Sequence, residues 1–194
     1  MNAAKYWLAL AALAAAPIAW ADVTVAGVKY EDATELAGTR LALNGAGLRT
    51  KVIFKVYAAG LYLPKKAASA DEVLAQPGAK RIALSMLREV DADEFAAAFA
   101  KGIEDNNDAA TLARIAPAIQ RMNRIFAEHK KLAAGDQIAI DWVPGAGTQI
   151  RVKGAQQGEP IREPEFYPAL LRIWLGSAPA DRSLKEALLG KAGG

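Results

Sequence analysis

The chain has 194 residues, a formal net charge of +3 from 24 Lys+Arg against 21 Asp+Glu, 53% apolar residues and no cysteine. That length suits one domain or two small ones, and the apolar fraction is enough for a buried core without staples. The missing cysteines exclude disulfides, a thiol nucleophile and thiolate metal sites, and the scattered basic residues lack the aromatic-interleaved stripe of a nucleic-acid binder.

Residues 1–21 read as a bacterial secretory signal peptide. Lys5 supplies a positive start, Tyr6 to Ala16 is apolar and Ala-rich, and Ala19-Trp20-Ala21 is a small-x-small cleavage site. The apolar run is shorter than the roughly 20 residues a spanning helix needs. No Cys follows it, which excludes a lipoprotein. The expected product is a periplasmic chain cleaved after Ala21, without stable membrane insertion; the competing reading is an uncleaved anchor.

Asp22 to Tyr30 alternates Val23, Val25 and Val28 with polar or small neighbours and predicts a short strand interrupted at Gly27. Glu35 to Leu43 predicts a second strand, ended by a turn at Asn44-Gly45-Ala46-Gly47. Leu48 to Leu63 predicts a third, long strand, with a bulge or bend at Gly60 and a stop at Pro64. Ser69 to Gln76 is a short helix with a capping-box pattern, Ser69 and Glu72. Lys80 to Leu87 is a strand with Ile82, Leu84 and Met86 on one face.

Asp91, Asp93 and Glu94 open a helix at its positive end, and Phe95, Phe99 and Ile103 form its apolar stripe. Asn106-Asn107 breaks it. Asp108 to Leu132 is a longer helical segment that Pro117 must kink or divide. Asp136 to Val143 and Thr148 to Lys153 form a hairpin around Pro144-Gly145-Ala146-Gly147, and Lys153-Gly154 is a further turn. Helices follow over Glu163 to Leu175 and Asp181 to Leu189, then a Gly-rich tail over 191–194. Grouped strands and helices favour an α+β fold, an antiparallel sheet with helices on one face.

Little in the chain suggests catalysis. His129 is the only histidine and reads as solvated surface at a helix end; no metal site and no cofactor are expected. There is no G-x-S-x-G, and the serines lack a nearby base. Gly45-Ala46-Gly47 lacks the third glycine of a dinucleotide loop and reads as a turn.

The remaining oddity is Arg49, a permanent cation at the start of an apolar strand. It is solvated, paired with an internal carboxylate, or open to an external anion. In an unbroken strand Arg49 and Tyr57 share a face with Lys51 and Lys55, opposite Thr50, Val52, Phe54 and Val56. A forked cation beside a neutral hydroxyl can clamp a carboxylate. The same pattern also describes a strand whose cationic side faces water.

Leu43-Asn44-Gly45-Ala46-Gly47-Leu48-Arg49, followed by Lys55-Val56-Tyr57-Ala58-Ala59-Gly60-Leu61-Tyr62-Leu63, resembles the chalcone isomerase-like family, nearest its bacterial exported branch. Leu170 to Gly176 and Ser183 to Gly190 resemble that family's last helices. The likeness covers about residues 25–190, inside a single domain over 22–190. It implies an open-faced β-sandwich: a large antiparallel sheet, a helix layer over one face, and a ligand cleft between them. Family members are either isomerases that close a chalcone to a flavanone or non-enzymatic fatty-acid binders. In both, the Arg of G-A-G-x-R faces the cleft; here that is Arg49.

The resemblance also implies which polar groups an isomerase would need. The plant enzymes' strand Thr, helix Tyr, helix Asn and C-terminal Ser/Thr align with Tyr57, Phe95, Gly102 and Ile173. Three of these four cannot donate a hydrogen bond from a side chain. The reading is therefore a non-catalytic binder of a small amphipathic acid such as a fatty acid, with Arg49 on the carboxylate and Tyr57 assisting. Phe54, Phe95, Phe99, Ile103 and Leu170 are candidates for the cleft wall or simply for the core. Two alternatives stand beside it. One is an isomerase or intramolecular lyase in which Arg49 stabilises an enolate. The other is an envelope protein with a packed cleft and an internally paired Arg49.

Overall fold

In a computed structural model of the protein, residues 22–191 are described; the signal-peptide reading of 1–21 and all but Lys191 of the tail lie outside them. The amino-terminal part is a run of hairpins. They comprise β1 (Val23–Val25), β2 (Val28–Tyr30), β3 (Ala33–Leu36), β4 (Thr39–Lys51) and β5 (Phe54–Leu63). Next come α1 (Ala70–Ala75), β6 (Lys80–Met86), β7 (Val90–Asp91), α2 (Ala92–Glu104) and α3 (Ala109–Ala127). The chain closes with β8 (Lys131–Leu132), β9 (Gln137–Val143), β10 (Gly147–Val152), β11 (Ala155–Ile161), α4 (Phe166–Leu175) and α5 (Arg182–Leu188).

Seven strands make one antiparallel sheet in the order β11-β10-β9-β6-β5-β4-β3. Alternation sorts its side chains. Tyr57, Ala59, Leu61 and Leu63 of β5 join Ile82, Leu84, Ile138, Ile140 and Ile150 on one face. Phe95, Phe99, Ile115, Met122, Phe126, Leu170 and Trp174 cover that face from α2, α3 and α4. On the other face, Leu41, Leu43, Ala58 and Tyr62 form a smaller core under Tyr30. The architecture is the expected α+β open-faced sandwich.

The caps are as the sequence requires. Ser69 Oγ accepts from Glu72 N at 3.2 Å, Asp91 Oδ1 from Asp93 N and Glu94 N, and Asp181 Oδ1 from Leu184 N at 3.1 Å. Several boundaries differ from expectation. Asp22 to Tyr30 is a hairpin, turning at Ala26-Gly27. Asn44-Gly45-Ala46-Gly47 is no turn: it lies inside β4, with a register shift around Asn44. The run from Leu48 to Leu63 is two antiparallel strands folded back at Val52-Ile53, so periodicity alone hid a tight turn without glycine.

Gly60 makes no bulge. It pairs regularly with Ala46 and Ala83, and the Tyr30 ring lies where its Cβ would be, 2.6 Å away. Pro117 does not divide α3, whose buried Ile115, Ala118, Met122 and Phe126 dock the helix on both sides of it. Leu132 belongs to β8 rather than to that helix. The strand β11 went unforeseen because its sequence, AQQGEPI, is polar and carries a Gly and a Pro, as an edge strand tolerates.

Candidate functional site

Arg49 and Tyr57 are opposite each other on β4 and β5, and so project from the same, helix-covered face. They meet across a hairpin, not eight residues along one strand. Lys51 and Lys55 are exposed near its turn and do not share the site. The Arg49 side chain is 22% exposed, and its Nη1 stands 4.0 Å from Asp181 Oδ2. It also donates to the Thr50 carbonyl. Asp181 is already engaged: Oδ2 accepts from Thr50 N at 3.0 Å, while Oδ1 caps α5.

Tyr57 is buried, and its hydroxyl accepts from Trp174 Nε1 at 3.0 Å. Burial pushes this phenol up to about 12, against the opposing pull of the Trp174 hydrogen bond and the Arg49 charge. It is therefore neutral at physiological pH and suited to donating a hydrogen bond rather than to taking a proton.

Asp181 was missed by sequence reasoning. Its only local signal is that of an N-cap, and its partner Arg49 is distant in the chain. The Asn-Gly-Ala-Gly segment brings the two together. A Cβ on Gly45 would stand 2.0 Å from the Ala187 carbonyl oxygen, and one on Gly47 2.6 Å from Ala187 Cβ. Both glycines let α5 lie directly on β4. Asn44 fixes the far end: its Nδ2 donates to the carbonyls of Ala67 and Leu188, and its Oδ1 accepts from Ala67 N.

Of the expected wall residues, Phe95, Phe99, Ile103 and Leu170 are buried together between sheet and helices. The rings of Phe95 and Phe99 lie 4.3 Å apart, and Phe99 meets Trp174 edge-on at 5.3 Å. Tyr57 meets Phe95 at 6.4 Å. Phe54 is not among them. It is the first residue of β5, beside the Val52-Ile53 turn at the open tip of the hairpin, 54% exposed and under the Arg88 guanidinium. A depression of about 210 Å³ lies on the opposite face of the sheet, lined by Tyr30, Tyr62, Arg81 and Ser85 among others. Among the described residues no group of three His, Cys, Asp or Glu is placed to hold a metal, and no helix is long and apolar enough to cross a membrane.

A family model described as chalcone isomerase-like matches residues 22–190. The chain belongs to the chalcone isomerase-like family. No curated protein matches it in sequence. Among solved structures, the fold of this chalcone isomerase-like chain is similar to that of AtFAP1, a fatty-acid binding protein of Arabidopsis thaliana. The TM-score is 0.68 at 16% identity, covering 87% of this chain and 96% of that one.

Gly102 of α2 faces Ile173 of α4 so closely that a Cβ on Gly102 would lie 3.1 Å from Ile173 Cγ2. A polar side chain there would have to displace the Ile173 side chain. Phe95, aligned with the helix Tyr, is packed among aromatic rings.

Proposed function

We propose that this protein is a non-catalytic binding protein for a small amphipathic carboxylic acid, a fatty acid being the type, with Arg49 as the carboxylate receptor. One observation carries the reading. A partly buried guanidinium lies beside a neutral hydroxyl on the apolar inner face, and its carboxylate partner is 4.0 Å away and committed to two backbone N–H groups. A ligand carboxylate could take the bidentate approach that Asp181 does not make. The fold shared with AtFAP1, itself named for fatty-acid binding, supports the same reading.

The tail would lie between sheet and helices, against Phe95, Phe99, Ile103 and Leu170, displacing part of their mutual packing. Burying alkyl chain contributes about 0.8 kcal/mol per CH₂. A charge-assisted hydrogen bond adds roughly 1.5–3 kcal/mol. After association costs of several kcal/mol, micromolar affinity is workable. The amino-terminal pattern supports export to the periplasm, with cleavage after Ala21 and one domain over 22–190.

Native mass spectrometry of the purified protein, followed by denaturing extraction and lipid analysis, tests this. A stoichiometric acidic lipid that disappears in Arg49→Ala supports it; the same acid retained by the variant contradicts it. The Arg49–Asp181 pair also favours a second reading, in which Arg49 holds the start of α5 against β4 and binds nothing. Under that reading the wild type carries no acid, and Arg49→Ala loosens α5. Turnover of a chalcone panel above the buffer rate would favour the isomerase alternative instead.

A further inference from the structure

Four hairpins in the described chain turn on two-residue loops. Three follow ordinary turn chemistry, a residue and then a glycine, both at positive φ: Ala26-Gly27, Ala37-Gly38 and Lys153-Gly154. The fourth, between β4 and β5, is Val52-Ile53. Val52 holds φ at +59°, a conformation that a β-branched side chain adopts only under strain. Nothing in the core explains the choice. Val52 is 89% exposed, Ile53 79% and the adjoining Phe54 54%. Those three consecutive residues are three of the four exposed large apolar side chains among the described residues; the other is Val23.

Basic side chains predominate around this tip. Lys51 and Lys55 flank it and are exposed, and the Arg88 guanidinium lies 4.9 Å above the Phe54 ring. The neighbouring acid, Glu89, is paired with Lys131 at 2.7 Å. An apolar wedge with a cationic collar matches the boundary between acyl chains and anionic headgroups, where long basic side chains snorkel outward. Two copies meeting tip to tip would face each other with like charges, which disfavours self-association here.

We propose that the β4–β5 hairpin tip docks the protein on an anionic lipid bilayer, with Val52, Ile53 and Phe54 in the interface and Lys51, Lys55 and Arg88 on the headgroups. The inference does not rest on the ligand reading, because Arg49 is no part of the tip.

Vesicle flotation of the processed protein tests it, using phosphatidylcholine vesicles with and without phosphatidylglycerol. The wild type should float with the anionic vesicles and release at high salt. Ile53→Asp should bind at least about tenfold more weakly with an unchanged melting temperature. Lys51→Glu combined with Lys55→Glu should lose the preference for anionic vesicles. Equal flotation of wild type and Ile53→Asp would overturn the proposal, as would no flotation of the wild type. A solution dimer dispersed by Ile53→Asp, without vesicle binding, would also overturn it and assign the tip to a second copy of the chain.

Discussion

Arg49 Nη1 and Asp181 Oδ2 stand 4.0 Å apart, at the outer limit of an ion pair, where the start of α5 meets the end of β4. The carboxylate is held by Thr50 N and Leu184 N, so it cannot swing to meet the guanidinium without giving up a backbone bond. An incoming carboxylate would therefore compete with a fixed, loosely paired anion. Asp181→Asn removes that anion but keeps a competent N-cap. Acid binding should tighten roughly fivefold, the scale of a partly exposed ion pair, as read by calorimetry. Unchanged or weaker binding would show that Asp181 does not compete.

Tyr57→Phe leaves the buried indole N–H of Trp174 without its acceptor at 3.0 Å. Stability should fall by about 1–3 kcal/mol, seen as a lower denaturant midpoint at unchanged m-value. A neutral effect would mean that the indole finds another partner.

Alkaline pH should unfold the protein in a defined window. Burial holds Tyr57 and Tyr62 up at about 12, and Tyr30 and Tyr167 are also raised by burial. Unfolded tyrosine ionises near about 10, so above that pH the unfolded state binds fewer protons than the folded one. The stability that Tyr57 and Tyr62 contribute is full below about pH 10 and is lost as pH rises through about 12. Phenolate absorbance should therefore rise together with unfolding, not before it. Free titration of these tyrosines near pH 10 in a folded protein would contradict the burial.

Gly45→Ala should be severe. Its Cβ would stand 2.0 Å from a backbone oxygen of α5, which can yield only if the helix moves. We expect a loss of about 1–3 kcal/mol or more and faster hydrogen exchange in α5 than in β9. Gly47→Ala meets side-chain atoms first, Ala187 Cβ and Leu184 Cδ1, and should cost less.

The parts of the fold that were legible share one property: local sequence and tertiary demand agree. The α2 stripe of Phe95, Phe99 and Ile103 with its Asp91 cap, and the alternation in β6, read directly from the chain. Where the two conflict, reading failed. Gly45 and Gly47 imitate a turn, yet serve the close approach of α5, a contact visible only in three dimensions. Val52-Ile53 imitates a strand interior, yet forms the turn that leaves Phe54 at an exposed hairpin tip. Arg49 and Tyr57 were paired on the right face by the wrong geometry. Asp181 had no signal beyond its cap, because nothing local announces a partner so distant in the chain.

The most direct test of the central claim compares a medium-chain fatty acid with the alcohol of the same length on wild type and Arg49→Ala, by titration calorimetry at one salt concentration. If Arg49 receives the carboxylate, the variant should lose roughly tenfold to a hundredfold in affinity for the acid, the value of a charge-assisted hydrogen bond, and almost none for the alcohol. Equal losses for both ligands, or undiminished acid binding by the variant, would contradict the account.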